Sequence, residues 1–122
     1  MSEEKTVLIV DDEPSNIDLI AGILKGSYKT KAAPKGQIAL AVCRKVPPDL
    51  VLLDLKMPEM DGFQVITELK KDPATADIPV IFISGEQDPG DVAKGKELGA
   101  VDFQFKPVEP AKLLAAVEKH IT

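Results

Sequence analysis

The chain has 122 residues, 44% of them hydrophobic and 29% charged, with a formal net charge of −5 and a single cysteine. This is the composition of one ordinary globular domain. Size scaling gives roughly 6,400 Å² of folded surface against about 19,000 Å² for the open chain, so a core forms without staples. The acidic balance excludes a generic nucleic-acid surface, which is basic, but leaves room for a small anion held at a specific site. No apolar run approaches the roughly 20 residues needed to cross a bilayer. The N-terminus, Met1-Ser2-Glu3-Glu4-Lys5, is polar and acidic where an export signal is basic and then apolar. The expectation is a cytoplasmic protein that binds neither membrane nor nucleic acid directly. Cys43 has no partner in the chain, so no internal disulfide and no cysteine-based zinc site is available. Its expected role is that of a small buried hydrophobe, with Arg44 beside it the one hint of an activated thiolate.

In chain order, Thr6–Val10 is the first predicted strand. A helix follows with Pro14 near its start, Ile17, Ile20, Ala21 and Leu24 on one face, and Gly26 after its end. Residues 28–32 form a weak second strand. Lys35–Lys45 is predicted as a helix with Ile38, Ala41 and Val42 inward, stopping before Pro47 and Pro48. Leu50–Leu53 is a strand, and Gly62–Lys71 a helix carrying Val65, Ile66 and Leu69. Ile78–Ile83 is a strand, and residues 89–98 a helix closed by Gly99. Val101–Phe105 is the fifth strand. Residues 110–120 form the last helix, with Leu113, Leu114 and Val117 on one stripe. Strands apolar at consecutive positions are buried on both faces. Strand and helix alternating five times therefore imply a parallel sheet with helices on both sides, in one domain spanning residues 1–122.

Open parallel sheets bind ligands beyond the carboxyl ends of their strands. The residues standing there are Asp11, Asp12 and Glu13 after the first strand, Asp54 after the third, Ser84 after the fourth and Lys106 after the fifth. Carboxylates about 5 Å apart repel by roughly 3 kcal/mol at an effective dielectric of about 20, which a divalent cation relieves. An all-oxygen donor set favours Mg²⁺, with Mn²⁺ the alternative, and Mg²⁺ engages phosphate oxygens. With Lys106 and Ser84 present to neutralise and hydrogen-bond phosphoryl oxygens, an ionised carboxylate needs no base to act as nucleophile. Asp54, at the centre of the cluster, is the expected phosphoacceptor.

Together these elements resemble the receiver domain of bacterial two-component response regulators, of the CheY-like kind. The resemblance rests on Val7-Leu8-Ile9-Val10 followed by Asp11-Asp12-Glu13, on the run from Leu52 through Asp54 to Asp61-Gly62, on Ser84, and on Gly99-Ala100 leading to Lys106-Pro107. It implies a flavodoxin-like (βα)5 fold with strand order 2-1-3-4-5, and a phosphorylation-activated switch that promotes only its own phosphorylation and dephosphorylation. Asp54 would take its phosphoryl group from a histidine kinase or phosphotransfer protein. Asp12 and Asp54 would bind Mg²⁺ directly, Asp11 mainly through water, and the Lys56 backbone carbonyl would complete the protein ligands. Ser84 falls at the switch hydroxyl position and Phe103 at the aromatic switch position, and a cis Lys106–Pro107 peptide is implied. Movement of Ser84 toward the phosphoryl group would open space for Phe103 and reshape the face made by the fourth helix, fifth strand and fifth helix. Gly90 and Gly95, each costing a helix interior about 1 kcal/mol relative to Ala, would leave that fourth helix marginal. Lys56 and Glu86, each two residues beyond Asp54 and Ser84, would tune the lifetime of the phosphorylated form. The output is a downstream effector or an attached output domain, with a phosphorylation-dependent homodimer as a further possibility.

Taken singly, these residues have plainer readings. Asp11, Asp12 and Glu13 make an ordinary solvated turn with acids near a helix N-terminus, and Ser84, Phe103 and Lys106 are separately a turn hydroxyl, a core aromatic and a surface charge. His120 is expected to be solvated. Gly90–Lys96 fits most of a phosphate-loop pattern but has Glu97 where Ser or Thr is required. Two alternatives stay open. A Mg²⁺-dependent phosphatase of the haloacid dehalogenase type also forms an aspartyl phosphate, although it wants an acid where Lys56 stands. The other is a receiver-like binding module that works without phosphorylation.

Overall fold

A computed structural model describes residues 4–85 and 87–121. Its elements alternate throughout: β1 (Thr6–Val10), α1 (Pro14–Leu24), β2 (Lys29–Ala33), α2 (Gly36–Lys45), β3 (Leu50–Asp54), α3 (Gly62–Lys71), β4 (Val80–Ser84), α4 (Pro89–Glu97), β5 (Asp102–Phe105) and α5 (Pro110–His120). The five strands form one parallel sheet in the order β2-β1-β3-β4-β5. This is the doubly wound arrangement expected from the sequence. Register aligns the strand ends: Val10 pairs with Ala33 and Leu53, Asp54 with Ile83, and Ser84 with Phe105. The residues that follow β1, β3, β4 and β5 consequently emerge along one rim.

The continuous apolar runs are explained by the two layers of helices. Leu8, Val10, Val51, Leu53, Val80 and Phe82 point to the side covered by α2 and α3. Their neighbours Val7, Ile9, Leu50, Leu52, Ile81 and Ile83 point to the side covered by α1 and α5. Successive strand residues face opposite layers, so β3 and β4 are buried at every position. Each such Leu, Ile or Phe contributes roughly 1.5–3 kcal/mol through burial. Cys43 lies fully within the α2 side of the core. Burial, only partly offset by the Arg44 charge, pushes its thiol up to about 11, so it is a packed hydrophobe with no thiolate character near neutral pH.

The differences from the sequence expectation have local causes. β4 begins at Val80 rather than Ile78, because Pro79 has no N–H for the ladder and the Ile78 N–H donates to the Thr75 carbonyl in a turn at 3.1 Å. β2 lies one residue later than expected and exposes most of its side chains, as an edge strand does. Its apolar signal was correspondingly weak. In α2 the buried face is Gly36, Ala39, Leu40 and Cys43, not Ile38, Ala41 and Val42. Both sets have helical spacing, but close packing against α3 demands small residues. A Cβ at Gly36 would stand 2.7 Å from Val65 Cγ2. Gly90 occupies the first turn of α4, where its N–H donates to Asp88 Oδ1 at 2.8 Å, so only Gly95 weakens the interior of that helix.

Candidate functional site

The rim gathers the acids in a fixed geometry. Asp11 extends β1 by one ladder bond, its N–H donating to the Ala33 carbonyl at 3.2 Å. Its Oδ1 accepts the Glu13 N–H at 2.9 Å, an Asx turn that locks the carboxylate and launches α1. Asp54 is the last residue of β3. Asp11 and Asp54 are 1% and 5% exposed, whereas Asp12 faces solvent. Carboxylate oxygens of Asp11, Asp12 and Asp54 all lie within 4.8 Å of one another.

Lys106 arrives from the far side of the sheet. Its backbone N–H donates to the Ser84 carbonyl at 2.8 Å, and its Nζ reaches Asp54 Oδ1 at 3.2 Å and Asp11 Oδ2 at 3.4 Å. The Lys106–Pro107 peptide is cis, as the resemblance implied. One ammonium does not offset this much negative charge. Burial and then the Asp11 carboxylate push Asp54 up to about 6, Asp12 adds to the rise, and Lys106 pulls the other way without prevailing. For Lys106 itself burial disfavours the ammonium, but Asp54 and Asp11 outweigh it and raise its pKa. Both shifts report one condition, a buried site with excess negative charge. Its donors are hard oxygens, and such a set suits a hard divalent cation better than a soft one.

Ser84, 2% exposed at the end of β4, completes the group. A cleft of about 250 Å³ opens onto solvent between Glu13, Asp54, Lys56, Ser84, Gly85 and Lys106. Of the two expected lifetime-tuning residues, Lys56 lines this cleft and Glu86 lies outside the described residues. Phe103 is 7% exposed, its ring centroid 5.2 Å from Phe82 and 5.9 Å from Phe105. In this state the ring packs among the buried apolar residues on the α2–α3 side of the sheet. His120, expected to be solvated, is instead paired. Its Nε2 lies 3.2 Å from Asp102 Oδ2 and its side chain is 19% exposed, so the C-terminal end of α5 is tied to the start of β5.

Sequence reasoning passed over the seating of the β3–α3 loop. A Cβ at Gly62 would stand 2.7 Å from the Asp54 carbonyl oxygen and 2.8 Å from Phe82 Cε1, so only glycine lets α3 begin directly behind Asp54. Asp61 and Gln64 form a reciprocal capping box at 2.9 Å each way. The Asp-x-x-Gln spacing was the available signal for it. Glu59, at φ 68°, turns the loop back so that the Gly62 N–H can donate to the Leu55 carbonyl at 2.8 Å.

Comparison with known proteins places this rim in context. The model of the response regulator receiver domain matches residues 7–118. A probable cyclic di-GMP phosphodiesterase of Vibrio cholerae is 48% identical over 116 residues, 95% of this chain but 26% of that protein. Response regulator PleD of Caulobacter vibrioides is 42% identical over 112 residues, 91% of this chain and 25% of that protein. The chain thus spans about a quarter of the length of these two relatives. It matches nearly all of Protein PilH of Pseudomonas aeruginosa, with 37% identity over 91% of this chain and 93% of that one. Among solved structures, the Vibrio cholerae chemotaxis protein CheY4 superposes with a TM-score of 0.92 at 28% identity, covering 98% of this chain and 100% of that one.

Proposed function

Because the chain belongs to the family of response regulator receiver domains, we propose that it works as a phosphorylation-operated switch with Asp54 as the acceptor. An Asp54 carboxylate oxygen attacks the phosphorus of a phosphohistidine on a sensor kinase or phosphotransfer protein. The P–O bond forms as the P–N bond breaks, and the electron pair leaves with the imidazole, which takes up a proton. Lys106, 3.2 Å from Asp54 Oδ1, supplies positive charge next to the incoming phosphoryl oxygens, and Ser84, which lines the same cleft, offers a hydroxyl. Asp11, Asp12 and Asp54 would hold Mg²⁺, with Mn²⁺ an acceptable substitute and the Lys56 carbonyl a further ligand. When bound, the ion contributes charge neutralisation at the phosphoryl oxygens. The single observation that carries the reading is the buried Asp11–Lys106–Asp54 arrangement, which leaves a carboxylate at the edge of an open cleft beside its own counter-charge.

Intact-mass measurement after incubation with acetyl phosphate and Mg²⁺ tests this directly. The expected result is a gain of one phosphoryl group by the native chain and none by Asp54→Asn or in the presence of a chelator. No gain, even with a phosphohistidine donor and rapid quenching, would instead support a binding module that works without phosphorylation. An aspartyl-phosphate phosphatase is disfavoured because Lys56 stands where its general acid belongs.

The same reading extends to the surroundings of the site. Residues 1–122 act as one receiver unit, whose output is either a separate effector or a domain attached in a longer protein. Its α4-β5-α5 face transmits the state to that output. Lys56 and Glu86 govern how water reaches the aspartyl phosphate. Replacing either with Ala is expected to change the dephosphorylation rate more than the Mg²⁺ affinity, measured by mass decay and by metal titration. Unchanged decay in both variants would remove them from that role.

A further inference from the structure

The four phenylalanines of the chain stand in one row across the sheet face. Phe63 packs edge-on to Phe82 at 5.7 Å, Phe82 lies 5.2 Å from Phe103, and Phe103 lies 5.9 Å from Phe105. Phe105 is the register partner of Ser84 and precedes Lys106. One end of the row therefore abuts the acidic site.

Helix α4 rests on the middle of this row. It is the element least tied to the rest of the molecule, and its one buried residue is Gly95. A Cβ on Gly95 would stand 2.7 Å from Phe103 Cε2 and 3.0 Å from both Cδ2 and Cε2 of Phe82. Real Cβ atoms do not approach so closely, and here neighbouring rings of the row limit how either ring can give way. Gly95 is not needed for backbone conformation, because α4 is regular there. As a helix-interior glycine it even costs about 1 kcal/mol relative to alanine. What the glycine supplies is space for a ring. Lys94, beside it, places its ammonium 4.6 Å from the centroid of Phe63, a second hold of α4 on the same aromatic row.

We propose that Gly95 is the positioning residue for Phe103: it seats the ring beneath α4, so that the place of the ring and the place of the helix are one coupled variable. This rests on the proposed role of Phe103 in the phosphorylation switch. With the ring inward, α4 closes on it at glycine distance. A displacement of Phe103 removes the floor of α4 at its only buried residue, and a side chain at position 95 does the converse by pushing the ring outward.

The experiment is aromatic NMR on phenylalanine-labelled full-length chain, native and Gly95→Ala, each with Mg²⁺ alone and with Mg²⁺ plus beryllofluoride as the phosphoryl mimic. Gly95→Ala with Mg²⁺ alone is expected to shift the Phe103 ring resonances away from their native positions, as stacking on Phe82 is lost, and to shrink the further shift caused by the mimic. Phe103 resonances that coincide with the native ones overturn the proposal. A native chain whose Phe103 ignores the mimic would instead remove the switch role of Phe103, and the comparison with Mg²⁺ alone would still decide whether Gly95 seats the ring. Should Gly95→Ala fold poorly, its effect on Tm is measured in native and in Phe103→Leu backgrounds. A smaller loss in the Phe103→Leu background supports the proposal, and equal losses in both overturn it.

Discussion

Asp54 is held in an environment that opposes its own charge. Burial and the Asp11 carboxylate raise it to about 6 from an ordinary carboxylate value of about 4. The folded state therefore favours the protonated acid more than the unfolded chain does. That contribution to stability is complete below about pH 4 and lost as the pH rises through about 6, leaving the folded chain at pH 8 with an ionised buried carboxylate facing Asp11 and Asp12, which Lys106 offsets in part. Asp54→Asn removes the charge and keeps the shape. In metal-free buffer it is expected to stabilise the protein by about 1–3 kcal/mol at pH 8, with the gain shrinking steadily toward pH 5. Urea unfolding at the two pH values checks this. A variant less stable than the native chain at both would show that Asp54 is a structural rather than a strained residue. Asp54 was legible in the sequence because it closes an unbroken apolar strand. The constraint on Gly62 was not, since it depends on how closely α3 passes behind the Asp54 carbonyl, a distance that chain order does not contain.

Among the elements, α4 stands apart. Its N-terminus is capped by Asp88, whose Oδ1 accepts the Gly90 N–H at 2.8 Å and the Asp91 N–H at 3.4 Å. Only Gly95 is buried along its length, with Val92 and Leu98 half covered. The stability of such a helix depends heavily on its cap. Asp88→Ala is expected to cost about 0.5–2 kcal/mol, felt in α4 before the rest of the molecule. Hydrogen exchange should accelerate in residues 90–98 while the amides of β3 and β4 stay protected. A uniform acceleration across the sheet would contradict a locally weak α4. The strongly periodic helices α3 and α5 were readable to their bounds, and β1, β3 and β4 to within two residues. α2 was found in place but with its face misassigned, since a stripe of glycine, alanine and cysteine carries less hydrophobic signal than Ile38 and Val42 beside it. Close contact with Val65 selects the smaller stripe.

At the scale of the whole molecule, parallel strands deliver the ends of β1, β3, β4 and β5 to one rim, and acids far apart in sequence meet within 4.8 Å. Their repulsion is a stored cost that a cation relieves, so metal binding should be visible as stability. At ten times its dissociation constant, Mg²⁺ is expected to add about 1.4 kcal/mol and raise Tm by roughly 3–8 °C. Asp12→Ala should abolish most of that rise, because Asp12 is the acid that faces solvent. Thermal melts with Mg²⁺ and with a monovalent salt of matched ionic strength distinguish binding from screening. An equal rise in both salts would count against a metal site.

The sequence by itself determined the alternation of strand and helix, the burial of both sheet faces and the residues that stand at the strand ends. These follow from local periodicity, apolar runs and turn chemistry, which operate over a few neighbouring residues. Tertiary structure alone decided which α2 face turned inward, that His120 pairs with Asp102, that Phe103 lies inside a row of four rings, and that Gly62 and Gly95 have no room for a side chain. Those outcomes depend on distances between segments distant in sequence. A glycine selected for space looks, in the sequence, the same as one selected for a turn.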